Sequence, residues 1–159
     1  SLKLDILTML IFVGALWGTI VFPVIASLFW QRVSNKAFTS AVVAGFAMFL
    51  VTRFELLPMQ GAVAVFFELC ACVGGGVVIG IMAFGFFGRT AGLVFGFLTL
   101  AVLAPFAVGF LRDYAVLLSS LTAYGVSTMV CVAVSLRSQN RFDFDTIGER
   151  VVAFQTKAR

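Results

Sequence analysis

The sequence contains no histidine, and only 11% of its 159 residues are charged. Histidine is the commonest general base and a frequent zinc ligand, so its absence argues against most acid–base enzymes and zinc sites. The three cysteines, Cys70, Cys72 and Cys131, lie inside apolar stretches, where small core residues are typical. The sequence has no catalytic triad, phosphate-binding glycine loop or metal-ligand motif. We therefore expect a protein that is not an enzyme and has no cofactor or metal of its own.

Charge is also missing from long stretches of the chain. Between Ile6 and Leu136 only eight charged residues occur: Arg32, Lys36, Arg53, Glu55, Glu68, Arg89, Arg112 and Asp113. The hydrophobic content of 62% and the mean hydropathy of +1.12 are far from those of a soluble domain, which is about 25% charged. The sequence therefore predicts an all-α polytopic membrane protein, surrounded by the lipid bilayer.

About five transmembrane helices are expected within residues 1–137. The predicted spans are about 5–31, 36–54, 62–87, 90–111 and 114–136. At ~1.5 Å rise per residue most of them can cross a hydrocarbon core of ~30 Å. Residues 138–159 form a C-terminal tail.

Basic residues are unevenly divided between the two sides that five spans create. The side of the N-terminus has three: Lys3, Arg53 and Arg112. The opposite side has eight: Arg32, Lys36, Arg89, Arg137, Arg141, Arg150, Lys157 and Arg159. By the positive-inside rule the C-terminal tail is predicted to be cytoplasmic, in a plasma or inner membrane. Because much of this charge lies beside the spans or in the tail, we attribute it to contact with anionic lipid and expect no nucleic-acid partner.

Glu68 is the one carboxylate in the interior of a predicted span, about two turns from its outer end. An ionisable residue within a membrane is energetically expensive and is by default a functional candidate. As a functional residue, Glu68 would couple transport to a proton or cation or line a pathway. The alternatives are that it reaches water at this shallow depth, or that it accepts hydrogen bonds from hydroxyl groups of a neighbouring helix.

Small and hydroxyl-bearing residues recur at helical spacing. Three spans contain a glycine pair at the small-xxx-small spacing that predicts close helix packing: Gly14 and Gly18, Gly76 and Gly80, and Gly92 and Gly96. The glycine run at 74–76 has a second interpretation, local unwinding that exposes carbonyl groups to a cation. Hydroxyl groups of the fifth span either bond between helices or line a polar path: Ser119, Ser120, Thr122, Tyr124, Ser127 and Thr128.

Local signals mark the ends of the spans. Ser34 or Asn35 is expected to cap the second helix. That helix is expected either to end near Arg53 or to continue toward Leu56 before Pro58 stops it. The short connection at 112–114 predicts that the fourth and fifth helices form a tight antiparallel hairpin.

Two segments, each at the end of a predicted span, have a composition that resembles a known family. In residues 22–37 (FPVIASLFWQRVSNKA), a proline-containing helix ends in a tryptophan, a basic residue and a turn before a small-residue helix. Residues 134–145 (VSLRSQNRFDFD) combine the exit of the last span with an acidic-aromatic tail. In this order the two segments resemble the late helices of the sodium:solute symporter family, with some similarity to its urea-transporting branch. Together they bracket most of the chain.

This resemblance implies the late part of a leucine-transporter-like inverted-repeat fold, in which a sodium gradient drives uptake of a small solute by alternating access. The family builds its substrate and sodium sites mainly from earlier helices, so substrate-binding residues are expected upstream of Ser1. The chain is then a C-terminal fragment, and its partners are the remaining N-terminal helices, the solute and Na⁺ as coupling ion. Residues 61–110 depart from the pattern, because they add hydrophobic spans that common members lack.

Two other classes of protein stay open. In one, transporter-like helices are the sensory input of a signalling protein, and residues 139–159 lead into a cytoplasmic signalling domain. In the other, the chain is a complete membrane scaffold or subunit of 17.1 kDa. Sodium-dependent uptake favours a transporter, a kinase-like continuation beyond Arg159 favours a sensor, and a native Met immediately before Ser1 favours a scaffold.

Overall fold

The computed structural model describes residues 6–58 and 60–138, which fold into five long helices without strands. Helix α1 spans Ile6–Phe29, α2 Asn35–Arg53, α3 Gly61–Phe87, α4 Arg89–Phe110 and α5 Ala115–Arg137, and a short 3-10 turn at Leu111–Asp113 connects the last two. All five helices are long and apolar enough to cross a membrane. They begin and end within about two residues of the predicted spans. The tail at 139–159, with part of the second family-like segment, lies outside the described residues.

Caps and left-handed residues set the helix ends. The Oγ atom of Ser34 accepts a hydrogen bond from the backbone N–H of Ala37 at 3.2 Å, so Ser34 is the N-cap of α2. Helix α2 ends at Arg53, the shorter of its two predicted lengths, and Glu55 then turns the chain with φ 50°. Gly88 has φ 90° and separates α3 from α4, a conformation that is unstrained for glycine alone.

Helix α5 lies at the centre of the bundle. It packs against α1, α2 and α3, while α4 packs along α3 and the 3-10 turn. The predicted hairpin of the fourth and fifth helices is therefore wrong, because each of them packs against α3 and not along the other. Consecutive helices need not be packing partners when a third helix offers both of them a surface of small residues.

The distribution of side chains is that of a membrane bundle. Hydroxyl-bearing residues and one acid are buried: Thr19, Thr52, Glu68, Ser119, Thr122, Ser127, Thr128 and Ser135. Most large apolar side chains lie outside, and Trp17, Phe86 and Phe97 are 65%, 80% and 71% exposed, although Phe49 and Phe67 are buried. Water would make such exposure unfavourable, but lipid solvates these rings as well as a protein core does. The described residues thus have the architecture of a multi-pass membrane protein.

Candidate functional site

Glu68 is enclosed within the bundle, with 1% of its surface exposed. It is the eighth residue of α3, so it lies about 10 Å along the axis from the start of that helix. One turn further along, a cluster joins α3 to α5 and to the 3-10 turn: Ala71, Cys72, Leu111 and Leu118. This burial excludes the alternative in which Glu68 reaches water directly at the bundle surface.

Five buried hydroxyl groups follow the length of α5. We name them the α5 hydroxyl line: Ser119, Thr122, Ser127, Thr128 and Ser135. From Ser119 to Ser135 the line extends about 24 Å at ~1.5 Å per residue, which is most of a ~30 Å hydrocarbon core. Ser119 and Thr128 donate hydrogen bonds to carbonyl groups of α5 itself. Ser120 and Tyr124, from the same predicted set, are only partly buried.

Two members of the α5 hydroxyl line bond to neighbouring helices. The hydroxyl of Thr122 donates to the carbonyl oxygen of Phe67 in α3 at 3.3 Å. The hydroxyl of Ser127 donates to the carbonyl oxygen of Thr19 in α1 at 2.7 Å. The predicted hydrogen bonding between helices is therefore confirmed for these two residues. Because Phe67 precedes Glu68, the Thr122 bond also places the N-terminal part of the line at the level of the acid.

Helices α3 and α4 meet through their glycines. At each of four positions an added Cβ would lie 2.9–3.2 Å from a carbonyl oxygen of the facing helix: Gly76, Gly80, Gly92 and Gly96. The packing interpretation of these two pairs is confirmed. Gly18 is covered by the ring of Tyr124, whereas Gly14 has nothing within 4 Å of an added Cβ. Among the described residues, the prediction of close helix packing is therefore wrong for Gly14.

Helices α3 and α5 approach each other even more closely. A Cβ on Gly74 would collide with the carbonyl oxygen of Leu121, and one on Gly125 would collide with that of Cys70. Helix α3 is continuous through residues 74–76. The alternative of local unwinding is therefore not observed, and the glycine run forms a contact surface.

Three residues make helix contacts at the bundle centre that the sequence did not indicate: Thr19, Gly45 and Gly125. An added Cβ on Gly45 would come within 2.8 Å of Thr19 and 2.9 Å of Ser127, so α1, α2 and α5 converge there. Gly45 and Gly125 lack a second glycine four residues away. A search for any small residue at this spacing would have found Gly45, because Ala37 and Ala41 precede it and are both 0% exposed.

The cysteines are not gathered into a metal site. Cys70, Cys72 and Cys131 are buried and form no disulfide. Among residues 6–58 and 60–138, no three His, Cys, Asp or Glu side chains are grouped as metal ligands. Their burial agrees with the prediction of small core residues.

The fold and these contacts define a class, the polytopic helical membrane protein with small and hydroxyl-bearing residues at its helix contacts. A scan against protein-family models, a search of curated proteins and a search of solved structures each find no match to the chain. The resemblance of residues 22–37 and 134–145 to sodium:solute symporters therefore supports a proposal and not a family assignment.

Proposed function

We propose that the chain forms the late helices of a sodium-coupled secondary active transporter of the plasma or inner membrane. One observation carries the proposal: Glu68 is enclosed in an apolar helical bundle, at the level where the buried α5 hydroxyl line begins. Intramembrane acids are rare and are functional-site candidates by default, because burying a charge in a membrane is energetically expensive. The resemblance to symporters adds Na⁺ as the coupling ion and a small solute as the cargo.

In this proposal Glu68 is a coupling or pathway residue in the outer half of the protein, and the other helices are scaffold and one wall of the outer pathway. The substrate and sodium sites lie mainly in helices outside this chain. The contacts around Glu68 fit such a role, since α3 and α5 meet through backbone and hydroxyl groups. Intramembrane acids that face a bundle interior beside polar groups are typical of ion and solute pathways.

The test is sodium accumulation by the protein as its native host produces it, reconstituted into proteoliposomes with an inside-negative potential. Radioactive sodium and external urea are the probes, urea being the solute of the family branch that the tail resembles. Wild-type protein is expected to accumulate sodium above protein-free vesicles. Glu68→Gln is expected to lower accumulation roughly ten-fold or more, the size of a typical coupling free energy between sites.

The matched control is Glu55→Gln, which removes the same charge from an exposed loop residue. It is expected to leave accumulation unchanged. Wild-type accumulation no greater than that of protein-free vesicles would contradict the transporter proposal. Normal accumulation in Glu68→Gln at equal protein content would instead remove Glu68 from the mechanism.

A further inference from the structure

An apolar groove lies between α1, α3 and α4, in the half of the bundle that contains the α3–α4 connection. Its volume is about 490 Å³, within the ~300–1,000 Å³ usual for small-molecule sites. All three helices contribute side chains to its walls. These include Ala26, Phe29, Val77, Phe84, Leu93 and Leu100. The groove is separate from Glu68, which does not line it.

Helix packing explains why this space is open. The floor is made by the glycine contact of α3 with α4, and four lining glycines carry no side chain to fill it: Gly76, Gly80, Gly92 and Gly96. Helix α1 packs mainly against α5 and α2, and it reaches α3 through Phe29, whose ring contacts that of Phe84 at a centroid distance of 5.2 Å. The groove is therefore a consequence of where the three helix backbones lie and of the missing side chains at its glycine floor.

Arg89 is the one charged residue that lines the groove. It is the first residue of α4 and is exposed. It forms no ion pair with another residue in the part of the chain that the structure describes. Its guanidinium group is thus available to an anion at the end of the groove where α4 enters the membrane.

The length of the groove matches one leaflet of a bilayer. From Arg89 to Leu100 it extends about 16 Å along α4 at ~1.5 Å per residue, roughly half of a ~30 Å hydrocarbon core. An unbranched hydrocarbon chain is apolar and narrow enough to lie along the groove, and Arg89 at the end of the groove complements an anionic headgroup.

We propose that the groove binds one acyl chain of an anionic phospholipid whose phosphate pairs with Arg89. The guanidinium group complements a phosphate in charge and in hydrogen-bonding geometry. The apolar walls complement the acyl chain along one leaflet. The protein therefore holds a resident lipid at the end of the bundle that the basic residues mark as cytoplasmic.

Native mass spectrometry in detergent tests this site on the protein as its host produces it. Phosphatidylglycerol and phosphatidylcholine with identical acyl chains are added in equal amounts. Among protein molecules with one bound lipid, those with phosphatidylglycerol are expected to outnumber those with phosphatidylcholine by about five-fold. This ratio corresponds to the contribution of one cation to anionic lipid binding. Arg89→Gln is expected to abolish this preference. Arg137→Gln, which removes an exposed cation outside the groove, is expected to retain it.

A second pair of variants tests whether the acyl chain occupies the groove. Ala26→Phe fills the groove and is expected to lower phosphatidylglycerol retention at least as much as Arg89→Gln does. Ala101→Phe, the same change at an exposed α4 residue outside the groove, is the control. Each variant must match the circular dichroism spectrum of the wild type. Soluble glycerol phosphate is expected not to displace the lipid, because it has no acyl chain.

Three outcomes would overturn the proposal. Equal retention of the two lipids would show that the protein binds only annular lipid. Normal phosphatidylglycerol retention in Ala26→Phe would show that Arg89 attracts anions without a seated acyl chain. A lipid-free dimer that Leu93→Trp dissociates would show that a second copy of the chain fills the groove.

Discussion

Single small residues make several of the contacts between helices in this bundle. Ser127 and Thr19 are both 0% exposed, and the 2.7 Å bond between them links helices that are 108 residues apart in the chain. Hydrogen bonds between membrane helices contribute about 0.6 kcal/mol on average and at most about 1.7 kcal/mol. We expect this bond to belong to the stronger group, because Pro23, four residues after Thr19 in α1, has no backbone N–H to donate to the Thr19 carbonyl.

Ser127→Ala is expected to lower the free energy of unfolding by about 1–1.7 kcal/mol. The control is Ser27→Ala, because Ser27 donates an equally short 2.7 Å bond to the Val24 carbonyl within α1, at an exposed site. That change is expected to cost less than about 0.5 kcal/mol. Unfolding in mixed micelles at increasing denaturant, followed by tryptophan fluorescence, measures both. Equal losses from the two substitutions would contradict the assigned role of Ser127.

Glu68 and Thr19 show what is visible at this scale before a structure is known. A single acid in an apolar run stands out in the sequence, so Glu68 could be selected as a candidate. Its burial could not be predicted, because it depends on how α5 and the 3-10 turn pack against α3. Thr19 has no distinguishing neighbour in the chain, since its role comes from a partner on a distant helix.

At the scale of helices, the sequence was sufficient to predict where each helix begins and ends. It was not sufficient to predict which helices pack against each other. Charged or polar breaks such as Ser34 and Arg53 are local signals, and they set the bounds of α2. Pairing depends on surfaces that meet only in three dimensions. Gly125 is the clearest case, because its partner is a backbone carbonyl of Cys70 and no spacing in α5 indicates that contact.

Gly125→Ala is expected to destabilise the protein by about 1–3 kcal/mol, as overpacking does in tightly packed interiors. The new Cβ would collide with the carbonyl oxygen of Cys70, which cannot move unless α3 moves with it. Gly14→Ala is the control, because an added Cβ there meets nothing within 4 Å. It is expected to be neutral or to stabilise α1 by up to about 1 kcal/mol.

The same unfolding measurement in mixed micelles compares these two glycine variants. A Gly125→Ala protein as stable as Gly14→Ala would show that α3 and α5 are not in backbone contact. The proposed centre of the bundle would then be wrong.

At the scale of the whole molecule, the bundle is apolar outside, and small and hydroxyl-bearing residues lie inside beside a few large rings such as Phe49 and Phe67. Five spans are expected to place the two ends of the described chain on opposite sides of the membrane. The division of basic residues predicts which side is cytoplasmic. The proposals for Glu68 and for the lipid groove both depend on this arrangement, since Glu68 lies toward the N-terminal end of α3 and the groove toward its C-terminal end.

Cysteine labelling in intact cells tests the five-span arrangement most directly. Gln60→Cys and Arg89→Cys place thiols just before and just after α3, and a membrane-impermeant maleimide reports the side on which each lies. The wild type is the control, because Cys70, Cys72 and Cys131 are at most 3% exposed and are expected to remain unlabelled. We predict labelling of Gln60→Cys in intact cells and of Arg89→Cys only after permeabilisation. The reversed pattern would overturn the orientation alone, and labelling of both positions from the same side would contradict the five-span account.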